Sequence, residues 1–207
     1  MSFFENKGRK DKMPMKTPDG KLVFKIVYWG PSMGGKTTSV FWLSKNDPEL
    51  IKGDLQSIAD PTGRTLFFDR AVAGVGKITF QIYTVAGQKR HRGQRKVILK
   101  GADGIIFVWD SQKELWDENL WSVNELKDYL AHEENGHRVP VIIMVNKRDL
   151  PDTVTKDEVR TVFEKDNGFS DVLIYETIAV DGLNVKRAFI QVCREIVMRY
   201  YESVKQT

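Results

Sequence analysis

From residue 22 onward, apolar runs rich in β-branched and aromatic residues alternate with stretches whose apolar positions recur every three to four residues. Runs of the first kind occupy 22–29, 66–72, 77–84, 103–109, 139–145 and 172–176, and each predicts a strand. Stretches of the second kind occupy 36–45, 92–100, 113–133, 155–166 and 183–202 and predict helices. In the last, Val185, Phe189, Val192 and Ile196 share one face. Strands and helices in alternation predict an α/β fold of about six strands in a mostly parallel sheet, with helices on both faces. Only 66–72 and 77–84 are joined too briefly for a crossover, so the linker Ala73-Gly74-Val75-Gly76 predicts a hairpin and one antiparallel strand.

Residues 1–20 lack this patterning. They carry Pro14 and Pro18, and Lys7, Arg9, Lys10, Lys12 and Lys16 outnumber Glu5, Asp11 and Asp19. They read as a flexible basic arm ahead of one domain over 21–207.

Composition narrows the classes. The 207 residues are 41% apolar and 29% charged, which is material for one globular core. A net charge of +4, from 32 basic and 28 acidic residues, describes an ordinary surface and gives no ground for a nucleic-acid partner. Cys193 is the one cysteine, which excludes an internal disulfide and a multi-cysteine zinc site and suits a reducing cytoplasm. Its apolar neighbours Phe189, Ile190, Val192 and Ile196 predict a buried, inert thiol. His91, His132 and His137 spell no metal motif. No apolar run approaches the roughly 20 residues of a bilayer span, so no integral membrane segment is expected. Neither a signal-peptide core, a glycine at position 2 nor a prenylation cysteine is present.

The chemistry begins after the first strand, at Gly30-Pro31-Ser32-Met33-Gly34-Gly35-Lys36-Thr37. This satisfies G-x-x-x-x-G-K-[ST] between a strand and a helix, the setting of a phosphate-binding loop. Gly30 and Gly35 free the backbone to turn N–H groups inward, and the helix adds its positive end. The cradle is assigned to Gly30, Ser32, Met33, Gly34, Gly35, Lys36, Thr37 and Thr38. Lys36 supplies charge for the β- and γ-phosphates, and the Thr37 hydroxyl is a ligand for Mg²⁺. The loop is silent on the base. The fifth predicted strand ends in Asn146-Lys147-Arg148-Asp149, beyond the carboxyl edge where ligands bind in open α/β sheets. The Asp149 carboxylate is placed to accept two hydrogen bonds from guanine, where adenine presents an acceptor instead. Lys147 packs its stem over the ring and Asn146 braces the loops.

With Thr84-Val85-Ala86-Gly87-Gln88 after the third strand, these motifs resemble the Ras superfamily of small GTPases from about residue 22 to the end. Within it the chain is most similar to the prokaryotic MglA group, through Arg64-Thr65-Leu66-Phe67-Phe68-Asp69, Tyr83-Thr84-Val85-Ala86-Gly87-Gln88 and Ile98-Leu99-Lys100-Gly101-Ala102-Asp103-Gly104. The resemblance implies a P-loop G domain that binds GTP or GDP with Mg²⁺ and hydrolyses GTP. It implies that Thr65 joins the metal shell, that Gly87 donates its N–H to the γ-phosphate, and that Gln88 orients the attacking water. Arg64 is implied as an arginine finger supplied in cis, the alternative being a solvated loop arginine. In Glu176-Thr177-Ile178-Ala179, Ala179 is implied to offer its N–H to the guanine. Implied partners are an activator of roadblock/longin (MglB-like) fold and effector proteins of cell polarity or motility.

Three positions depart from the superfamily pattern. Thr84 stands where a carboxylate steadies the metal shell. A hairpin turning about residues 74–75 would pair Thr84 with residues near 65, leaving Asp69 four positions away. Ala86 stands where the group carries proline, which would loosen the second switch. Ser32 brings a side chain to a position often held by glycine. Asp110 reads as a helix N-cap rather than a metal ligand, and Trp116, Trp121 and Tyr129 read as core packing. A guanine-nucleotide scaffold with little or no hydrolysis is the alternative function, and a small-molecule P-loop kinase is a third.

Overall fold

The computed structural model describes residues 15–17, 20–56, 68–132, 139–165, 169 and 172–205. The elements in chain order are β1 (Met15–Lys16), β2 (Leu22–Trp29), α1 (Lys36–Asn46), β3 (Ile51–Gln56), β4 (Phe68–Val75), β5 (Ile78–Val85), α2 (Arg92–Leu99), β6 (Gly104–Asp110), α3 (Trp116–Ala131), β7 (Val141–Asn146), α4 (Lys156–Lys165), β8 (Leu173–Glu176) and α5 (Val185–Lys205).

Seven strands line up in the order β3-β4-β5-β2-β6-β7-β8, one more than predicted, and β1 pairs beside β2. β2 is parallel to β5 and β6, and β7 is parallel to β6 and β8. β4 runs antiparallel to β5, as the short linker requires, and also antiparallel to β3. β1 adds antiparallel pairs at Met15↔Val23 and Lys16↔Leu22, so the last residues of the expected arm join the sheet. The arm up to residue 14 lies outside the described residues.

Strand parity divides the core into two layers. On one face Phe24, Ile26, Tyr28, Ile106, Val108, Ile142 and Met144 meet Val40 and Leu43 of α1 and Val185, Phe189, Val192 and Ile196 of α5. On the other, Val27, Trp29, Ile105, Phe107, Trp109, Ile143 and Val145 meet Leu99 of α2, Val123 and Leu126 of α3, and Val159 and Phe163 of α4. β6 and β7 are buried on both sides, which is why their sequences are nearly unbroken apolar runs. Phe189 and Val192 are fully buried, each worth about 1.5–3 kcal/mol relative to exposure. α4 opens on a capping box. The Thr155 Oγ1 accepts the Glu158 N–H at 3.2 Å, and Glu158 Oε2 accepts the Thr155 N–H at 2.7 Å.

The hairpin differs from expectation in its register. Ala73, Gly74 and Val75 belong to β4, which pairs as far as Val75↔Ile78, and the chain reverses at Gly76-Lys77. Gly76 takes φ 58°, the left-handed conformation such a turn needs. Asp69 therefore pairs directly with Thr84 instead of lying four positions from its partner.

Candidate functional site

The phosphate loop leaves β2 at the carboxyl edge of the sheet, and α1 begins at Lys36. Met33 and Gly35 adopt φ 60° and 103°, so the backbone coils into a concave nest. A Cβ at Gly35 would lie 2.1 Å from Asn146 Nδ2, and one at Gly30 (φ 139°) would lie 2.2 Å from the Val108 carbonyl oxygen. Only glycine fits either place. The Lys36 ammonium is buried and donates to the carbonyls of Gly30 at 3.1 Å and Pro31 at 2.5 Å. Burial, and then the nearby Arg95 guanidinium, push its pKa down to about 7, with Asp69 and Asp110 pulling the other way. An anionic phosphate beside it reverses that direction. Ser32, Gly34 and Thr38 lie in the loop and the first turn of α1, and Met33 is exposed at the tip.

Asp69 lies at the floor of this nest, fully buried. Its Oδ2 accepts hydrogen bonds from the Thr37 hydroxyl and, at 2.5 Å, from the Thr84 hydroxyl, while its N–H donates to Thr84 Oγ1 at 3.1 Å. A carboxylate thus stands behind Thr37 after all, carried by β4 and presented through Thr84 of β5. The hydroxyl, the carboxylate and the nest fit a hard cation bound with a phosphate chain.

Asn146 ties the base side to the phosphate side. Its Nδ2 donates to the Gly34 carbonyl at 2.9 Å, and its Oδ1 accepts from Thr177 Oγ1 at 3.1 Å and from the Ala179 N–H at 2.9 Å. The Ala179 N–H, expected to face the guanine, is here engaged by Asn146. Lys147 holds φ 68°, an uncommon conformation for a side-chain-bearing residue and one concentrated at functional sites. Its ammonium is pinned by Asp110 Oδ2 at 2.6 Å and Gln112 Oε1 at 3.0 Å. The Asp149 carboxylate is exposed and takes no hydrogen bond among the described residues.

Asp110 does not cap α3. A 3₁₀ turn over Lys113–Leu115 comes between them, and Asp110 accepts the Gln112 N–H at 3.2 Å while holding Lys147. The chain beyond β6 is braced by Asn119, which accepts the Asp110 N–H and donates to its carbonyl.

The chain leaving β5 meets the phosphate loop at Gly87. A Cβ there would lie 2.2 Å from the Ser32 nitrogen and 2.4 Å from the Pro31 carbonyl carbon, backbone atoms that cannot step aside. Gln88 follows, partly exposed, its side chain without a hydrogen-bond partner among the described residues. Arg64 and Thr65 lie outside the described residues.

Arg95 and Glu125, which belong to no motif in the sequence, form a buried ion pair at 2.8 Å. Burial pushes Arg95 down to about 10 against the pull of Glu125, and it raises Glu125 against the pull of Arg95. A signal existed. The buried residues of α2 are Arg95 and Leu99, four apart, so a cation occupies the face that periodicity assigns to the core. Trp116 and Tyr129 pack half-buried against the core, edge-on to Trp109 at 5.2 Å and to Trp29 at 5.7 Å, whereas Trp121, expected in the core, lies instead beside the cations of Lys89 and Arg95. Cys193 packs against the α1/α5 core layer, and burial raises its thiol pKa. Among the described residues no helix is long and apolar enough to cross a membrane.

Residues 14–196 match the family model for Arf, the ADP-ribosylation factor family. Over 169 residues the chain is 40% identical to the mutual gliding-motility protein MglA of Myxococcus xanthus, covering 78% of this chain and 84% of that one. In fold it is similar to the Arl6 (BBS3) small GTPase of Trypanosoma brucei, solved with the nucleotide analogue GppNp, with a TM-score of 0.66 at 23% identity over 85% of this chain and 98% of that one. By its phosphate loop, its guanine-side tetrad and these likenesses, the chain belongs to the ADP-ribosylation factor family of Ras-superfamily small GTPases.

Proposed function

We propose that this protein is a guanine-nucleotide switch that hydrolyses GTP to GDP and phosphate, with its G domain over 21–207 and a basic arm ahead of it. In this reading the loop N–H groups and Lys36 bind the phosphates, Asp149 reads the guanine, and Thr37 and Thr65 ligate Mg²⁺ with Asp69 behind Thr37. Mg²⁺, when bound, neutralises charge on the β- and γ-phosphate oxygens. Gln88 orients the attacking water, and Arg64 acts as an arginine finger in cis, a role worth roughly 10³–10⁵ in rate when well placed. The loops around 60–69 and 86–96 are ordered by the γ-phosphate and released after hydrolysis. Partner proteins read that difference: an activator of roadblock/longin, MglB-like fold, and effectors. The name of the gliding-motility relative supports a cytoplasmic role in cell polarity or motility.

The observation that supports the hydrolytic reading is the seating of Gly87, the residue before Gln88, against Pro31 and Ser32 of the phosphate loop. Single-turnover GTP hydrolysis by the wild type, Gln88→Ala and Arg64→Ala tests it. The wild type is expected to exceed the rate in buffer, and Gln88→Ala to fall back toward it. A wild-type rate equal to buffer and unchanged by both substitutions would leave a nucleotide-binding scaffold.

A further inference from the structure

Arg95 is 1% exposed on a helix whose other cations, Arg92 and Lys96, face solvent. Its guanidinium is held through both terminal nitrogens and both faces, while Nε is buried without a hydrogen-bond partner among the described residues. One nitrogen, Nη1, donates to the Gly87 carbonyl at 3.0 Å and, at a longer 3.5 Å, to the Ala86 carbonyl. The other, Nη2, donates to Ser122 Oγ at 3.1 Å and pairs with Glu125 Oε2 at 2.8 Å, both on α3. The plane lies 4.1 Å from the Trp29 ring centroid and 5.2 Å from that of Trp121. Trp29 is itself anchored, donating its indole N–H to the Ser122 carbonyl at 3.0 Å.

Burying such a pair rarely stabilises a fold more than apolar side chains of the same volume, so stability alone does not account for it. What the arrangement does supply is orientation. Gly87 has no Cβ and Ala86 only a methyl group, so neither side chain can hydrogen-bond a neighbour to fix these peptides. The Ala86 carbonyl and the Gly87 N–H belong to one planar trans peptide and point in opposite directions. Holding that carbonyl toward Arg95 turns the N–H away from it, and the Gly87 carbonyl bond fixes the next peptide, which carries the Gln88 N–H. Gly87 meanwhile abuts Ser32 and Pro31 of the phosphate loop.

We infer that Arg95 is a positioning residue: by joining the Ala86 and Gly87 carbonyls to Ser122 and Glu125, it sets the Gly87 peptide for the γ-phosphate. It thereby favours GTP over GDP. The inference rests on the GTPase reading above and adds to it the residue that keys α3 to the second switch.

The test compares affinities for GDP and for a non-hydrolysable GTP analogue in the wild type, in Arg95→Lys, and in the double variant Arg95→Met with Glu125→Leu. Lysine keeps the charge and loses the fork. The double variant fills the same space without a stranded buried charge. Thermal unfolding of each reports folding. The inference expects the GTP-analogue affinity to fall on the order of 10-fold relative to that for GDP in both variants, the scale of one charge-assisted hydrogen bond. An unchanged ratio in a folded variant overturns it and leaves the GTPase reading standing. A wild type that binds neither nucleotide overturns both. If the double variant does not fold, Arg95→Lys alone carries the comparison.

Discussion

Replacing Asp69 with asparagine keeps the shape of the side chain and removes its charge. In the native arrangement one carboxylate oxygen receives the hydroxyls of Thr37 and Thr84, in a pocket with no exposure to solvent. Hydrogen bonds to a charged acceptor are worth about 1.5–3 kcal/mol, against about 0.5–1.5 kcal/mol between neutral groups. Losing the charge at two such bonds therefore costs about 2 kcal/mol, or roughly 30-fold in an equilibrium constant. If Asp69 polarises Thr37 as a metal ligand, that cost falls on the Mg²⁺-dependent part of nucleotide affinity. Removing a group behind a metal ligand commonly costs 10–100-fold, which brackets the same figure. Dissociation of a fluorescent GDP from wild type and Asp69→Asn, measured in Mg²⁺ and in EDTA, separates the two components. The expected outcome is release about 30-fold faster in Mg²⁺ and within about twofold of wild type in EDTA. Equal acceleration in both media would refute the reasoning and make Asp69 a brace of the β4–β5 hairpin.

Asn146→Ala strands the Gly34 carbonyl, the Thr177 hydroxyl and the Ala179 N–H, at about 1 kcal/mol each. Calorimetry of the nucleotide-free protein is expected to show a fall in Tm of about 6–12 °C, and a fall under 1 °C would contradict the bracing role. Burial raises the Cys193 thiol above the ordinary range, and thiolate is the reactive form. A thiol reagent at pH 8 is expected to label native protein at least tenfold more slowly than denatured protein, whereas equal rates would mean an accessible thiol. Glu158 has its pKa lowered, first by the backbone N–H of Thr155 and then by its hydroxyl. Its contribution to stability is present above the unfolded carboxyl pKa and is lost as pH falls through the lower folded value. Glu158→Gln keeps the capping geometry without the charge, so its denaturant midpoint should vary less than wild type between pH 6 and 3. An identical pH profile would dismiss the capping carboxylate.

The central strands and the phosphate loop were readable because their physics is local. Strands buried on both faces are continuously apolar, and the loop's glycines and lysine serve one backbone shape. β3 escapes a sequence reading because Ile51-Lys52-Gly53-Asp54-Leu55-Gln56 interrupts its short alternation with Gly53-Asp54, residues depleted in strands, and it lies at the sheet edge, paired only to β4. The partner of Thr84 was misplaced because Gly74 and Gly76 both offer a turn, and only tertiary pairing decides that Gly76 reverses the chain. That two-residue ambiguity moved Asp69 from out of reach to the centre of the site. Arg95 escaped notice for a different reason. Its value depends on acceptors from a loop and a distant helix, which no local pattern brings together.

The amide of Asn146 has a kinetic consequence. It bonds the Gly34 carbonyl on one side and Thr177 and Ala179 on the other, through protein groups alone. The two walls of the crevice are thus braced in advance, and an arriving nucleotide is spared much of the entropy of ordering them. Capture should then proceed in one step whose rate rises linearly with nucleotide concentration, with no plateau set by loop assembly. A brace of this kind shifts the control of exchange from assembly of the crevice to departure of its occupant.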